Sequence, residues 1–290
     1  MLEHVRDVVV EAEVMAGSMR LDAVLERLRR LSVEDFGDLL LNMPNQSFPH
    51  LSTLLPSMAS EETQRSWTGD HGYGLLRQTL AFTRIMNYGF LRLTGQPLDN
   101  KTILDFGCGY GRFARIMYYF TDPCNYYGVD PWSLSIDLCR KANLPGHLAV
   151  SDYLPTSLPV GSVKYDLVFA FSVFTHLSLR AAEQALRTLR NYIRETGLLV
   201  ITIRPIDYWF LGHVKELIPD TATLIASHKK FGFAFHPHVR PAVDGEITYG
   251  DTSISVAFLR DHFREQWHVV QLDRSLDDPY QLVIFLKPTS

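Results

Sequence analysis

Asp105, Gly107, Gly109 and Gly111 join the apolar run Ile103-Leu104-Asp105-Phe106 to a helix-forming stretch that begins at Arg112. Glycines at two-residue spacing let the backbone take positive φ and let a ligand lie against bare main chain. The helix that follows offers unpaired N–H groups and a positive dipole end to an anion. Such a loop cradles a nucleotide-type cofactor. The dinucleotide pattern G-x-G-x-x-G would need a glycine where Arg112 stands. The sequence instead reads G-x-G-x-G, with an acid two residues before the first glycine. An acid there repels a pyrophosphate and suits a cationic amino group, so the charges favour a zwitterionic amino-acid moiety carried on a nucleoside.

Other residues are placed for chemistry at the ends of later β-rich runs. Asp130 ends the second, where a carboxylate can accept two hydroxyl protons in a charge-assisted bidentate contact or cap the next helix. Asp152 ends the third, as a ligand-facing acid or a turn residue. The fourth closes on Phe169-Ala170-Phe171-Ser172-Val173-Phe174-Thr175-His176-Leu177, which brings His176 to the mouth of the fold. A histidine titrating near neutrality suits a general base; its alternative role is to bond backbone and hold the loop. His236 and His238 flank Pro237 and point to the same side of an extended segment. With a nearby acid they could ligate a metal, but two histidines around a proline read better as solvated or acceptor-facing groups, and no metal is expected. Ile247 to Ser253 reads as a tight turn feeding a helix N-cap, with Tyr249 and Asp251 able to face an acceptor.

The elements that position these residues follow from periodicity. Residues 1–98 read as a helical lobe, with Val5, Val8, Val9 and then Leu21, Val24, Leu25, Leu28 at helical spacing. Ser32 and Asp35 form a capping-box pattern, and a longer helix is expected from about Leu75 through Phe90. In that lobe, Trp67 to Gly74 is an aromatic, glycine-rich hinge that either closes over a cofactor or is a plain turn with Trp67 plugging the core. From residue 99 to 290 short β-rich runs alternate with helices: Thr102 to Phe106, Asn125 to Asp130, His147 to Asp152, Tyr165 to Ser172 and Gly197 to Arg204. This is the rhythm of βαβ units in a parallel sheet. Ala182, Leu186, Leu189 and Ile193 form one helical stripe. Residues 206–252 interrupt the rhythm and are expected to form a lid or a substrate-facing insertion. A helix from about Ser253 to Phe263 and two strands, Trp267 to Arg274 and Tyr280 to Lys287, finish the chain. The short link between those strands makes them an antiparallel pair. The expected class is α/β: a doubly wound, mostly parallel seven-stranded sheet with the last strand antiparallel, plus the N-terminal helical lobe.

Composition sets the boundaries. The 290 residues are 46% hydrophobic and 21% charged, as in soluble globular proteins. A net charge of −4 supplies no basic field for nucleic acid or an anionic membrane. No apolar run reaches the length of a spanning helix, and acids near the N-terminus argue against a signal peptide. Cys108, Cys124 and Cys139 lack metal-ligand spacing, so reduced thiols and a cytoplasmic location are expected.

Taken in order, the loop Asp105-Phe-Gly107-Cys-Gly109-Tyr-Gly111, Asp130, Asp152 and Tyr165-Asp166-Leu167-Val168 resemble the motifs of the class I S-adenosylmethionine-dependent methyltransferases over residues 100–288. The resemblance implies that Gly107, Gly109 and Gly111 approach the methionine end of S-adenosylmethionine and that Asp105 helps hold its amino group. Asp130 would accept the ribose hydroxyls, Pro131 and Trp132 border the adenine, Asp152 and Tyr153 read its amino edge, and Phe171 complete the cofactor site. His176 resembles the histidine just after the fourth strand in many small-molecule members. The chain lacks the Asn-Pro-Pro-Tyr motif of the family's amino-methylating nucleic-acid enzymes and has no Pro-Cys nucleophile after that strand. The expected acceptor is therefore a small polar metabolite, a sugar or natural product methylated at oxygen or nitrogen, with His236, His238, Tyr249 and Asp251 on the acceptor side. Competing readings are a nicotinamide-dependent oxidoreductase, disfavoured by Arg112 and Asp105, and a non-catalytic binding protein of the same fold. Helical additions commonly dimerise, so a homodimer through the lobe is a candidate, although no heptad pattern is long enough to dictate it.

Overall fold

A computed structural model describes residues 2–289. Among the described residues, seven strands form one sheet, in the order His147–Val150, Tyr126–Asp130, Ile103–Phe106, Tyr165–Ala170, Ile193–Ile203, Leu282–Pro288, Trp267–Arg274, and two more pair separately. The chain divides into two compact units: residues up to Asn87 with Pro97–Val150, and Tyr88–Gln96 with the residues from Ser151 on.

In the first unit, α1 (Arg6–Ala16), α2 (Leu21–Leu28), α3 (Val33–Leu41), α4 (Pro49–Leu54) and α5 (Glu61–Thr68) precede the long α6 (Gly72–Thr94), whose last residues fall in the second unit. Side-chain caps set two of the starts. Ser32 Oγ accepts the Asp35 N–H at 3.1 Å and Ser60 Oγ accepts the Thr63 N–H at 3.2 Å, each satisfying a donor with no intrahelical partner. Pro49 begins α4, where its missing N–H costs nothing. Val24, Leu25 and Leu28 bury one face of α2, and Phe36, Leu39 and Leu40 one face of α3. Then come β1 (Ile103–Phe106), α7 (Arg112–Met117), β2 (Tyr126–Asp130), α8 (Ser133–Lys141) and β3 (His147–Val150). β1 pairs in parallel with β2, Ile103 opposite Tyr126, and β2 in parallel with β3.

The second unit contains β4 (Tyr165–Ala170), α9 (Leu179–Arg190), β5 (Ile193–Ile203), α10 (Gly212–Leu217), α11 (Thr221–Phe231), β6 (Phe233–Pro237), β7 (Gly250–Ile254), α12 (Val256–His262), β8 (Trp267–Arg274) and β9 (Leu282–Pro288). β4 and β5 are parallel, and β9 runs antiparallel to both β5 and β8. The expected fold class is the one observed.

Several expected boundaries move. α9 ends at Arg190, and Ile193 opens β5 rather than closing the helical stripe, because Tyr165 pairs with Ile193 ahead of a register shift in the β4–β5 ladder. The long helix begins at Gly72, three residues before Leu75, and the third strand stops at Val150. The turn expected at Ile247 to Ser253 is mostly strand: Gly250–Ile254 pairs antiparallel with β6, and the helix cap is Ser255, which accepts the Phe258 N–H at 3.1 Å. Its polar side chains hid this strand. Thr252 and Ser253 are fully buried because Thr252 Oγ1 donates to Leu177 O at 2.7 Å and Ser253 Oγ accepts Trp209 Nε1–H at 2.6 Å. Gly250 is required there, since a Cβ would stand 2.0 Å from the His236 carbonyl oxygen. Residues 206–252 hold their own core of Trp209, Val214, Ile218 and Ala234. Among the described residues, no helix is long and apolar enough to cross a membrane.

Candidate functional site

The glycine loop leaves β1 by a tight turn in which Gly107 N–H and Cys108 N–H both donate to Val129 O, at 2.8 and 3.1 Å. Gly107, Gly109 and Gly111 have φ of +83°, +54° and +75°, a region that side chains disfavour. At Gly111 a Cβ would also meet Leu144 Cδ2 at 2.3 Å. Arg115, in α7, fixes the loop's outgoing carbonyls: Nη1 donates to Tyr110 O at 3.0 Å and Gly111 O at 2.7 Å, and Nη2 to Ser57 O. Sequence reasoning passed over Arg115, because a buried arginine in a short apolar helix carries no pattern of its own. Arg112, which stands where a dinucleotide loop has glycine, is itself buried, and its Nε donates to Thr79 Oγ1 at 2.8 Å.

Asp130, at the end of β2, closes against this loop. Its Oδ2 accepts Gly109 N–H at 3.0 Å, and its Oδ1 accepts Trp132 N–H at 2.9 Å and Ser135 Oγ–H at 2.8 Å. Burial raises its pKa, opposed by those three donors. Asp105 is 2% exposed and accepts the Tyr126 hydroxyl at 2.8 Å. Burial pushes its carboxyl up to about 7; the Tyr126 bond and Arg112 pull down, and Asp130 pushes further up. Pro131 follows Asp130, and Trp132 is 40% exposed with Trp67 stacked on it.

In the second unit Asp152 and Tyr153 lie exposed in the connection after β3, and Phe171 is half-buried just past β4. His176 lies in a cluster. Its Nδ1 is 2.7 Å from Gly250 O; a carbonyl only accepts, so Nδ1 carries the proton and the Nε2 lone pair faces Arg204 Nη2 at 3.3 Å. Burial and the Arg204 charge lower the His176 pKa to about 4, against the Gly250 bond and Asp251. Arg204 Nη1 also donates to Asp251 Oδ1 at 2.5 Å and Thr175 O at 3.0 Å, and its guanidinium lies 4.1 Å over the Tyr208 ring. Asp251 further accepts Tyr208 O–H at 3.0 Å and His238 Nε2–H at 2.9 Å. Burial raises its pKa, but His238 and Arg204 outweigh that and hold it below the usual value. Tyr249 stacks on His176 at 4.9 Å with rings 6° apart, and Arg240 lies 5.2 Å over Tyr249.

The structure thus gathers His176, His238, Tyr249 and Asp251, while His236 sits in the β6 ladder opposite Asp251. It adds Arg204 and Tyr208, which the sequence reading missed. A usable signal existed for Arg204, a charge closing the uncharged, mostly apolar run Leu198 to Ile203. The cluster combines aromatic faces with buried polar groups. Among the described residues, no group of three or more His, Cys, Asp or Glu side chains is placed to hold a metal ion.

A family profile described as a methyltransferase domain matches residues 104–201, from β1 into β5. No curated protein matches the sequence. Among solved structures, an S-adenosylmethionine-dependent methyltransferase from Clostridium acetobutylicum ATCC 824 aligns with 79% of this chain and 97% of its own, at 12% identity and a TM-score of 0.50. The magnesium protoporphyrin IX methyltransferase from Synechocystis PCC 6803, solved with bound SAH, aligns with 79% of this chain and 94% of its own, at 15% identity and a TM-score of 0.50. At these identities the likeness is one of fold.

Proposed function

We propose that the chain is a class I S-adenosylmethionine-dependent methyltransferase, with S-adenosylmethionine as its methyl donor, and that it methylates oxygen or nitrogen of a small polar metabolite, a sugar or a natural product. The observation that carries this reading is the cluster of His176, Arg204, Asp251, His238, Tyr208 and Tyr249, whose members His176 and Arg204 follow the carboxyl ends of β4 and β5. Ligands of open α/β sheets bind at those strand ends. In this reading residues 99–290 carry the cofactor and acceptor sites, residues 1–98 form the helical lobe, and the free thiols of the three cysteines support a cytoplasmic location.

Bound S-adenosylmethionine supplies an electrophilic methyl carbon on a sulfonium, open to in-line attack. The chain's part is alignment. Gly107, Gly109 and Gly111 offer bare backbone to the methionine end, and Asp105 pairs with its ammonium. Asp130 keeps one Oδ2 lone pair beyond the Gly109 bond for a ribose hydroxyl, and releasing that bond would free a second. Pro131 and Trp132 border the adenine, Asp152 and Tyr153 its amino edge, and Phe171 completes the site. His176 meets the acceptor as a neutral imidazole whose lone pair is held by Arg204. To act as a base it must give up that bond, so a nucleophile that already carries a free lone pair, such as an unprotonated amine, suits the site best.

Incubation with methyl-labelled S-adenosylmethionine and separate pools of small metabolites, RNA, DNA and protein should put label in the metabolite pool. Label confined to a macromolecular pool overturns the acceptor class.

Asp105 makes cofactor binding pH-dependent. Its cofactor-free pKa of about 7 lies above the pKa it has when paired with an ammonium, so binding below pH 7 must release a proton. Affinity for S-adenosylhomocysteine should be full above pH 7 and fall by up to about tenfold per pH unit below it. Asp105→Asn should flatten this slope. A flat wild-type profile removes Asp105 from the ammonium site.

A further inference from the structure

Two of the four tryptophans, Trp209 and Trp267, are buried at 0% and 1% exposure. The other two stack on each other. Trp67, near the end of α5, lies with its ring centroid 4.6 Å from that of Trp132 and its plane 18° away. The same indole meets Tyr110 edge-on at 5.8 Å, and its Cε3 and Cζ3 lie 3.9 Å from where a Cβ on Gly109 would stand. It therefore covers both the bare glycine of the loop and one face of Trp132.

That surface has the properties of a purine seat. Asp130, which bonds both Gly109 N–H and Trp132 N–H, is the acid assigned to the ribose, and a base attached to that ribose lies against Trp132. An indole is a flat fused bicycle close to adenine in size, so it fills the same slot with the same stacking. At a centroid separation of 4.6 Å the two indoles leave no room for a third ring between them. The helix carrying Trp67 is capped by Gly69, with φ +80°, and Gly72 has φ +58°, so two glycines close behind the indole supply the backbone freedom its displacement would need.

We propose that Trp67 is a built-in occupant of the adenine seat: in the cofactor-free chain its indole stands in for the purine on Trp132 and Gly109, and S-adenosylmethionine binds by expelling it. The proposal rests on the cofactor assignment of Asp130 and Trp132 above. Its consequence is a reduced apparent affinity, because only the fraction of molecules with Trp67 displaced can accept the nucleoside.

The test is calorimetric titration of the full chain with S-adenosylhomocysteine, together with circular dichroism of the exciton couplet that two stacked indoles produce. Trp67→Ala should bind about tenfold more tightly than wild type, the scale of one lost aromatic stack. Trp67→Phe, a smaller ring that keeps the helix packed, should fall between them. The wild-type couplet should vanish at saturation and be absent from Trp67→Phe without ligand. Equal or weaker binding by both variants, or a couplet that survives saturation, overturns the proposal. If adding Trp132→Ala to Trp67→Ala leaves the affinity of Trp67→Ala unchanged, the failure lies instead in the cofactor assignment beneath it, and the proposal falls with that assignment.

Discussion

Asp130→Ala is expected to weaken S-adenosylhomocysteine binding by about 3 kcal/mol, on the order of a hundredfold. Two losses add. The variant cannot make the charge-assisted bond to a ribose hydroxyl, and it releases Gly109 N–H, Trp132 N–H and the Ser135 hydroxyl, which now fix the glycine loop to the end of β2. Asp130→Asn separates them. Its amide oxygen can keep the Trp132 and Ser135 bonds, but its NH2 group then faces the Gly109 N–H, donor against donor. The asparagine variant should hold the fold and still lose most of the affinity. Calorimetric titration measures both, with thermal melting to show that the loop remains folded. Wild-type affinity in Asp130→Ala would withdraw the ribose assignment.

The parts of this fold that were legible are those where burial is one-sided or complete. Ile103 to Phe106 and Leu198 to Ile203 are buried throughout, so they appear as apolar runs broken only by Asp105 and Thr202, the signature of strands covered on both faces. Ala182, Leu186 and Leu189 bury one face of α9 and appear at helical spacing. The β6–β7 pair was not legible, because β7 buries Thr252 and Ser253 by hydrogen bonding rather than by apolar character, and periodicity reports only the latter. Ile193 fitted two patterns, and strand pairing with Tyr165 decided between them. The candidate sites divide in the same way. Sequence order alone brought Gly109 and Asp130 into one group, and the structure joins them by a 3.0 Å hydrogen bond. Sequence could name His176 but not the partner of its lone pair. That partner, Arg204, lies 28 residues away on another strand end, and the contact depends on how two loops fold onto β7. Trp67 on Trp132 is likewise a tertiary pairing with no local signal.

Arg204→Met is expected to destabilise the protein by about 3–5 kcal/mol, the scale for removing one partner of a largely buried ion pair. The Arg204 and Asp251 side chains are each 13% exposed, and the guanidinium also ties down Thr175 O and His176 Nε2. Methionine fills much of the volume over the Tyr208 ring but leaves the Asp251 carboxylate with only the Tyr208 and His238 donors. The sign with pH follows. In the wild type the Asp251 pKa is held below its usual value, so the pair contributes stability above the unfolded pKa that is lost as pH falls through the folded one. Without Arg204, burial is opposed chiefly by the His238 bond, so the folded pKa moves up from its wild-type position and the stability the pair adds at neutral pH is lost, a difference that disappears once Asp251 is protonated. Denaturant unfolding should show a wide gap between wild type and variant at neutral pH that narrows as the solution is acidified. Adding Asp251→Asn to Arg204→Met should recover part of the loss, because the uncompensated charge is then gone. A gap of less than about 1 kcal/mol at neutral pH, the range of an exposed pair, would show that the ion pair does not organise this cluster and that His176 owes its orientation to Gly250 alone.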